Sequence, residues 1–117
     1  MICLSGNQSL FSADPFQLLK ATSRCSGTSD KLGFRGFVKS AAVCAAICQG
    51  KSKWFAYARH KMPNGRSMWQ KDCQQTANQL ECKCFCEITE VKKNQVAPTE
   101  CNVVANELYD VYQFSGN

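Results

Sequence analysis

Apolar residues fall along this chain in short bursts, and the spacing within each burst separates helix from strand. The clearest case is SAAVCAAICQGKSKWFAYAR, residues 40–59. Ser40 carries the hydroxyl that caps a helix, the small residues of 41–49 propagate one at little cost, and Gly50 can take the left-handed conformation that ends it. Cys44 and Cys48 stand four apart and so share one face. After a polar break at 51–53, the run Trp54, Phe55, Ala56, Tyr57, Ala58 is too short for a helix of its own and rich in aromatics. It predicts a buried strand, with at least two of Trp54, Phe55 and Tyr57 in the core. A helix with two cysteines on its inner face, leading into a central strand, predicts a helix bolted onto a sheet.

The flanking pattern is less regular. Asp14 before Pro15 is a helix start, and Phe16, Leu18 and Leu19 could line one side of it. This predicts a short helix over about 15–22, within an N-terminal arm (1–24) that precedes a disulfide-bearing domain (25–117). Glycines at 27, 33 and 36 mark 25–39 as turns, with one short strand at 36–38. Pro63, Asn64 and Gly65 form a turn signal, and a hairpin across it would pair 54–59 with 67–69. Residues 72–81 read as a polar loop. In 82–88, CKCFCEI, Cys82, Cys84 and Cys86 alternate with period two and share one side of a strand. A polar connection containing Pro98 covers 90–100, and LYDVYQF at 108–114 predicts a terminal strand. There is no internal repeat.

Composition changes this picture through cysteine. A chain of 117 residues makes one domain, and a domain this small is marginal without help. Nine cysteines supply it and point to an oxidising compartment. The opening residues have neither the basic nor the apolar region of a signal peptide. We therefore take the chain as a mature secreted protein restarted at Met1, with a cytosolic protein as the alternative. No run approaches the roughly 18 apolar residues of a membrane span.

Four residues of helix and two of strand both advance by roughly 6 Å, so Cys44 and Cys48 can face two of the three cysteines of 82–86 in register. The working choice sets Cys86 against Cys44 and Cys84 against Cys48, closes Cys73 onto Cys82, and ties Cys25 to Cys101. Eight cysteines permit about 105 connectivities, so these pairs are one choice among many. Each bridge would contribute roughly 2–4 kcal/mol. Cys3 is left over, as a free thiol or the bond of a disulfide-linked homodimer. In a reducing compartment, Cys44, Cys48, Cys82, Cys84 and Cys86 could instead hold zinc or copper(I). The C-x-x-C knuckles usual for such sites are absent, so neither a metal nor another cofactor is expected. Asn7, with Ser9 two residues on, is a glycosylation sequon of little weight.

The formal net charge of +5 is unevenly spread. Residues 15–71 hold eleven Lys or Arg against Asp30 alone, whereas residues 72–117 hold three Lys against seven acids. If folding kept these halves on different faces, one surface would be basic and suited to anionic glycans or acidic proteins.

A cysteine near the domain start, SAAVCAAIC on a helix, FAY on the next strand, the later cluster CKCFCE, and a last cysteine ahead of an aromatic strand together resemble the PAN/apple domain superfamily. The pattern, which spans about 25–114, is most similar to divergent secreted invertebrate PAN-like modules. The resemblance implies an α+β fold class: a small disulfide-rich module with a curved antiparallel β-sheet and one disulfide-pinned helix at about 40–49, to which this chain adds its short N-terminal helix. It also implies bridges from Cys44 and Cys48 to the later cluster, and from Cys25 to Cys101. Many PAN modules place a cysteine just before the central strand. This chain has Lys53 and Trp54 there, so the partner of Cys48 must come from further away. Such modules are extracellular binders of proteins or carbohydrates, including heparin-like and galactose-containing ligands, but no common binding residue carries over.

The expected function is a secreted, non-catalytic recognition module for an anionic or other glycan or a partner protein. The candidate surface is Lys51, Lys53, Arg59, Lys61, Arg66 and Lys71 with Trp69, since sulfate and carboxylate groups need cations and sugar faces stack on aromatics. His60, the only histidine, is expected to be solvated. No third group is placed to orient a nucleophile and base, no glycine loop cradles phosphate, and no C-x-x-C serves thiol exchange, so an enzyme is not expected. Neither is a nucleic-acid partner. The alternative is an extracellular matrix component linked through Cys3, or a secreted effector, toxin or inhibitor, presenting a loop at 60–66.

Overall fold

In the computed structural model, which describes residues 15–60 and 70–115, the chain runs β1 (Phe16–Lys20), β2 (Ser23–Cys25), α1 (Asp30–Gly33), β3 (Phe34–Val38), α2 (Ala41–Cys48), β4 (Trp54–Ala58), β5 (Cys73–Gln75), β6 (Leu80–Cys86), β7 (Val103–Ala105) and β8 (Tyr109–Phe114). The fold is α+β, with a mostly antiparallel sheet and two helices. Helix α2 forms where its sequence places it. The Ser40 hydroxyl accepts from the Val43 amide at 3.2 Å, and Gly50, just past the end, has φ of 79°.

The main sheet has the order β1-β8-β4-β6-β3, with β5 also paired to β6. Pairing sets the faces, because side chains alternate along each strand. Phe55 lies opposite Tyr112 and Cys86, and Tyr57 opposite Asp110 and Cys84. One face therefore carries Phe55, Tyr57, Tyr112 and the three β6 cysteines, and α2 packs on it. The other carries Ala56, Phe85 and Val111, which pair in line. Against that face lies the β2–β7 ribbon. The core lies between these layers, with Phe55, Ala56, Ala58 and Val111 fully buried.

Four disulfides form among the described residues, Cys25–Cys101, Cys44–Cys84, Cys48–Cys86 and Cys73–Cys82, and the middle two pin α2 to the sheet. The two helix bridges are the reverse of the working choice. The turn after α2 sends β4 back along the helix, and β6 is antiparallel to β4. Helix α2 and β6 thus run the same way, so the earlier helix cysteine meets the earlier strand cysteine. Their Cα atoms are 5.5 and 5.3 Å apart, within the usual disulfide range.

Two other expectations are corrected. The helix expected over 15–22 is strand β1: Phe16 pairs with Phe114 and Leu18 with Tyr112. A helix of two turns is marginal in isolation, and cross-strand pairing overrides it. The hairpin expected to pair 54–59 with 67–69 reaches beyond the described residues; within them, β4 pairs with β6 on one edge and β8 on the other. The turn at 63–65 and its far arm lie outside the described residues. The polar segment 72–81 is itself a hairpin, β5 with the start of β6, closed by Cys73–Cys82 between directly paired residues.

Sequence patterning also missed how the ribbon is held. Arg24 is buried on β2, with its guanidinium 4.4 Å from the Phe85 ring centre and 5.1 Å from that of Tyr109. It pairs with the fully buried Glu87 carboxylate, donating through Nε at 3.2 Å and also through Nη2, and it reaches Asp30 at 2.9 Å. Burial alone would lower the Arg24 pKa, but the hydrogen bonds and charges of Glu87 and Asp30 outweigh it and hold the pKa above its usual value. Glu87 also accepts from the Cys25 amide at 3.0 Å. Nearby, Gly33 meets β6 so closely that a Cβ there would lie 2.2 Å from the Cys86 carbonyl oxygen. Any side chain would push α1 off the sheet.

Two predictions follow from this packing. Removing one partner of a buried ion pair strands the other, so Glu87→Ala should lower unfolding stability by roughly 3–5 kcal/mol in chemical denaturation with disulfides intact, and Glu87→Gln by less. Partial reduction with stepwise alkylation should recover Cys44 linked to Cys84 and Cys48 linked to Cys86; crossed pairs would contradict the parallel run of α2 and β6.

Candidate functional site

The sheet face that bears α2 is only partly covered by it. Beyond the helix N-terminus, at the end of β4, an open cleft of about 440 Å³ is lined by Ser40, Tyr57, Arg59, His60, Asp110 and Tyr112, among others. Register explains the grouping. Tyr57 and Asp110 are direct partners on β4 and β8, Tyr112 is two residues further along the same face, and Arg59 and His60 follow β4.

Each polar group has a defined partner. The Tyr57 hydroxyl donates to the Val38 carbonyl at 2.7 Å. Its oxygen is then left to accept from His60 Nε2 at 3.2 Å, which places a proton on that nitrogen. Arg59 Nη1 donates to Asp110 Oδ1 at 2.9 Å. The same oxygen accepts from the Thr22 amide at 2.8 Å, holding Thr22 at a φ of 48°, rare for a β-branched residue. The Tyr112 ring stacks on Phe55, centroids 5.0 Å apart and planes within 11°.

Of the residues expected at a binding surface, Arg59 is the one among the described residues that lines this cleft. Lys51 and Lys53 are exposed at the opposite end of β4. The five residues of β4 separate Lys53 from Arg59, six steps of ~3.3 Å or about 20 Å. Lys71 is exposed near the β5 hairpin. Lys61, Arg66, Trp69, Cys3 and Asn7 lie outside the described residues. Tyr57 and Phe55 are core, and Trp54 is half-buried with its indole donating to Gln113 at 3.2 Å. His60 is exposed as expected, but it lines the cleft.

The basic and acidic halves of the chain do not separate. Strands β1, β4 and β3 from the basic half alternate across the sheet with β8 and β6 from the acidic half. Arg24–Glu87 and Arg59–Asp110 are ion pairs between the halves. Sequence reasoning missed Asp110 and Tyr112, although in LYDVYQF an acid and an aromatic two apart must share a strand face.

A second cavity of about 390 Å³, lined by Lys31, Phe34, Lys83 and Phe85 among others, opens on the opposite face. Three sulfur atoms, those of Cys44, Cys48 and Cys84, lie within 4.8 Å of one another. All three are in disulfides, so they offer no thiolate to a metal while oxidised.

Burial raises all three tyrosines. It pushes Tyr57 up to about 12. Tyr109 goes up by burial and by the hydrogen bond and charge of Asp72, and Tyr112 by burial and the charge of Asp110. A raised tyrosine pKa confers stability that is fully present below the unfolded value of about 10 and is lost as pH rises through the folded value. An ultraviolet titration should therefore show little tyrosinate near pH 10, with absorbance rising only as the fold is lost above it. Normal titration of all three tyrosines in a folded protein would contradict this packing.

Comparison with protein-family models, with curated proteins and with solved structures finds no match to this chain.

Proposed function

We propose that this protein is a secreted, non-catalytic recognition module of PAN/apple type that docks a glycan or a partner protein in the cleft at the end of β4. One observation carries the reading: aromatic side chains, a guanidinium, an imidazole and a carboxylate converge in an open cleft. Their backbone is held by four disulfides. A rigid support lets a site bind without first ordering itself. Four bridges suit an oxidising compartment. Among the described residues no helix is long and apolar enough to cross a membrane.

The hydrogen bonds favour binding over catalysis. Ser40, His60 and Asp110 share the cleft, yet Ser40 accepts from Val43, His60 contacts Tyr57, and Asp110 serves Arg59 and Thr22. Each is bonded to a structural neighbour, whereas nucleophilic catalysis needs the three bonded in sequence.

The test is a panel of immobilised oligosaccharides and extracellular matrix proteins probed with native protein, Arg59→Ala and the double variant Lys51→Ala/Lys53→Ala. Arg59→Ala should weaken the bound ligand about tenfold, as expected for a lost charge-assisted hydrogen bond, and the lysine variant should stay within about twofold, as for exposed charges. A loss confined to the lysine variant would move the site to the other end of β4.

A further inference from the structure

The charges in the cleft narrow its ligand. Arg59 and Asp110 are already paired at 2.9 Å, with side chains about 37% and 22% exposed. Asp110 Oδ1 is taken up by Arg59 and the Thr22 amide, which leaves Oδ2 as an acceptor with no partner among the described residues. Arg59 uses Nη1 toward Asp110, and among the described residues the other N–H groups of its planar fork have no partner. An acceptor and a set of donors thus stand side by side. A sulfate or carboxylate entering here would meet the Asp110 carboxylate next to Arg59, the one guanidinium that lines the cleft among the described residues. An uncharged partner meets no such repulsion.

We infer that the cleft takes a neutral saccharide, with one ring hydroxyl donating to Asp110 Oδ2 and its neighbour accepting from the Arg59 guanidinium. Adjacent hydroxyls on a sugar ring present one donor and one acceptor at this spacing. The Tyr112 ring, fixed on Phe55, supplies an apolar wall for the ring's C–H face. This rests on the recognition reading above and is distinct from attraction to a basic surface. Because the paired charges cancel, affinity should not depend on salt as binding between opposite charges does.

The experiment compares immobilised neutral oligosaccharides with sulfated and uronate-rich chains at low and high salt, using native protein, Asp110→Asn and Arg59→Lys. Asp110→Asn keeps an oxygen for the Thr22 amide but turns the free acceptor into a donor. Arg59→Lys keeps the charge and loses the fork. Disulfide mass and circular dichroism check that both variants fold. The expected result is binding of neutral chains at both salt levels, weakened roughly tenfold or more by each variant. Binding confined to sulfated or uronate chains, lost in high salt and strengthened by Asp110→Asn, would overturn the neutral ligand while leaving a recognition module. Binding only to a protein in the same cleft would do the same. If neither saccharide nor protein binds, both the inference and the recognition reading fall.

Discussion

Strand β6 is the constraint on which the rest of the structure depends. It pairs with β3, β4 and β5, and its three alternate cysteines hold two other elements: Cys82 holds β5, and Cys84 and Cys86 hold successive turns of α2. Four residues of helix, about one turn, and two steps of strand advance by nearly equal lengths, so both helix bridges close without bending either element. Just past the strand, Glu87 reaches through to the opposite face and anchors Arg24 of the ribbon. A single seven-residue strand therefore fixes layers on both sides of the sheet.

The consequence for electrostatics is that charge is distributed by pairing and not by position along the chain. A chain with a basic first half and an acidic second half would have a polarised surface if each half folded on itself. Here the strands of the two halves interleave, because β8 inserts between β1 and β4, and β6 between β4 and β3. Cross-half ion pairs are the result, one buried and costly to break, the other half-exposed beside the cleft. The ends of β4 are likewise remote from each other, so lysines close in sequence to Arg59 do not join it.

The cleft owes its existence to incomplete coverage. Helix α2 has only eight residues, enough to cover β6 and part of β4 but not the β4–β8 side beyond Ser40. There Phe55 is sealed by Tyr112, Phe16 and Phe114, while Tyr57, Asp110 and the residues after β4 remain at the edge of the cover. Polar groups gather at that edge because their partners are backbone groups that end there, the Val38 carbonyl at the end of β3 and the Thr22 amide in the β1–β2 connection.

The sequence by itself determined the local elements with strong chemistry: the Ser40-capped helix, the aromatic strand after it, the alternating cysteines of β6 and the terminal strand. In each, propensity, capping and period agree, so no distant contact was needed to choose. Residues 16–20 went the other way, since a short apolar run after Pro15 suits either a turn of helix or an edge strand, and the choice lies with β8, more than ninety residues downstream. Bridge order was decided by the relative direction of α2 and β6, which follows from how β4 lies between them. The Arg24–Glu87 pair joins residues 63 apart, and the cleft joins positions from Ser40 to Tyr112. Only sheet order brings such residues together, because hydrophobic period specifies which way a side chain faces and says nothing of which strand will lie beside it.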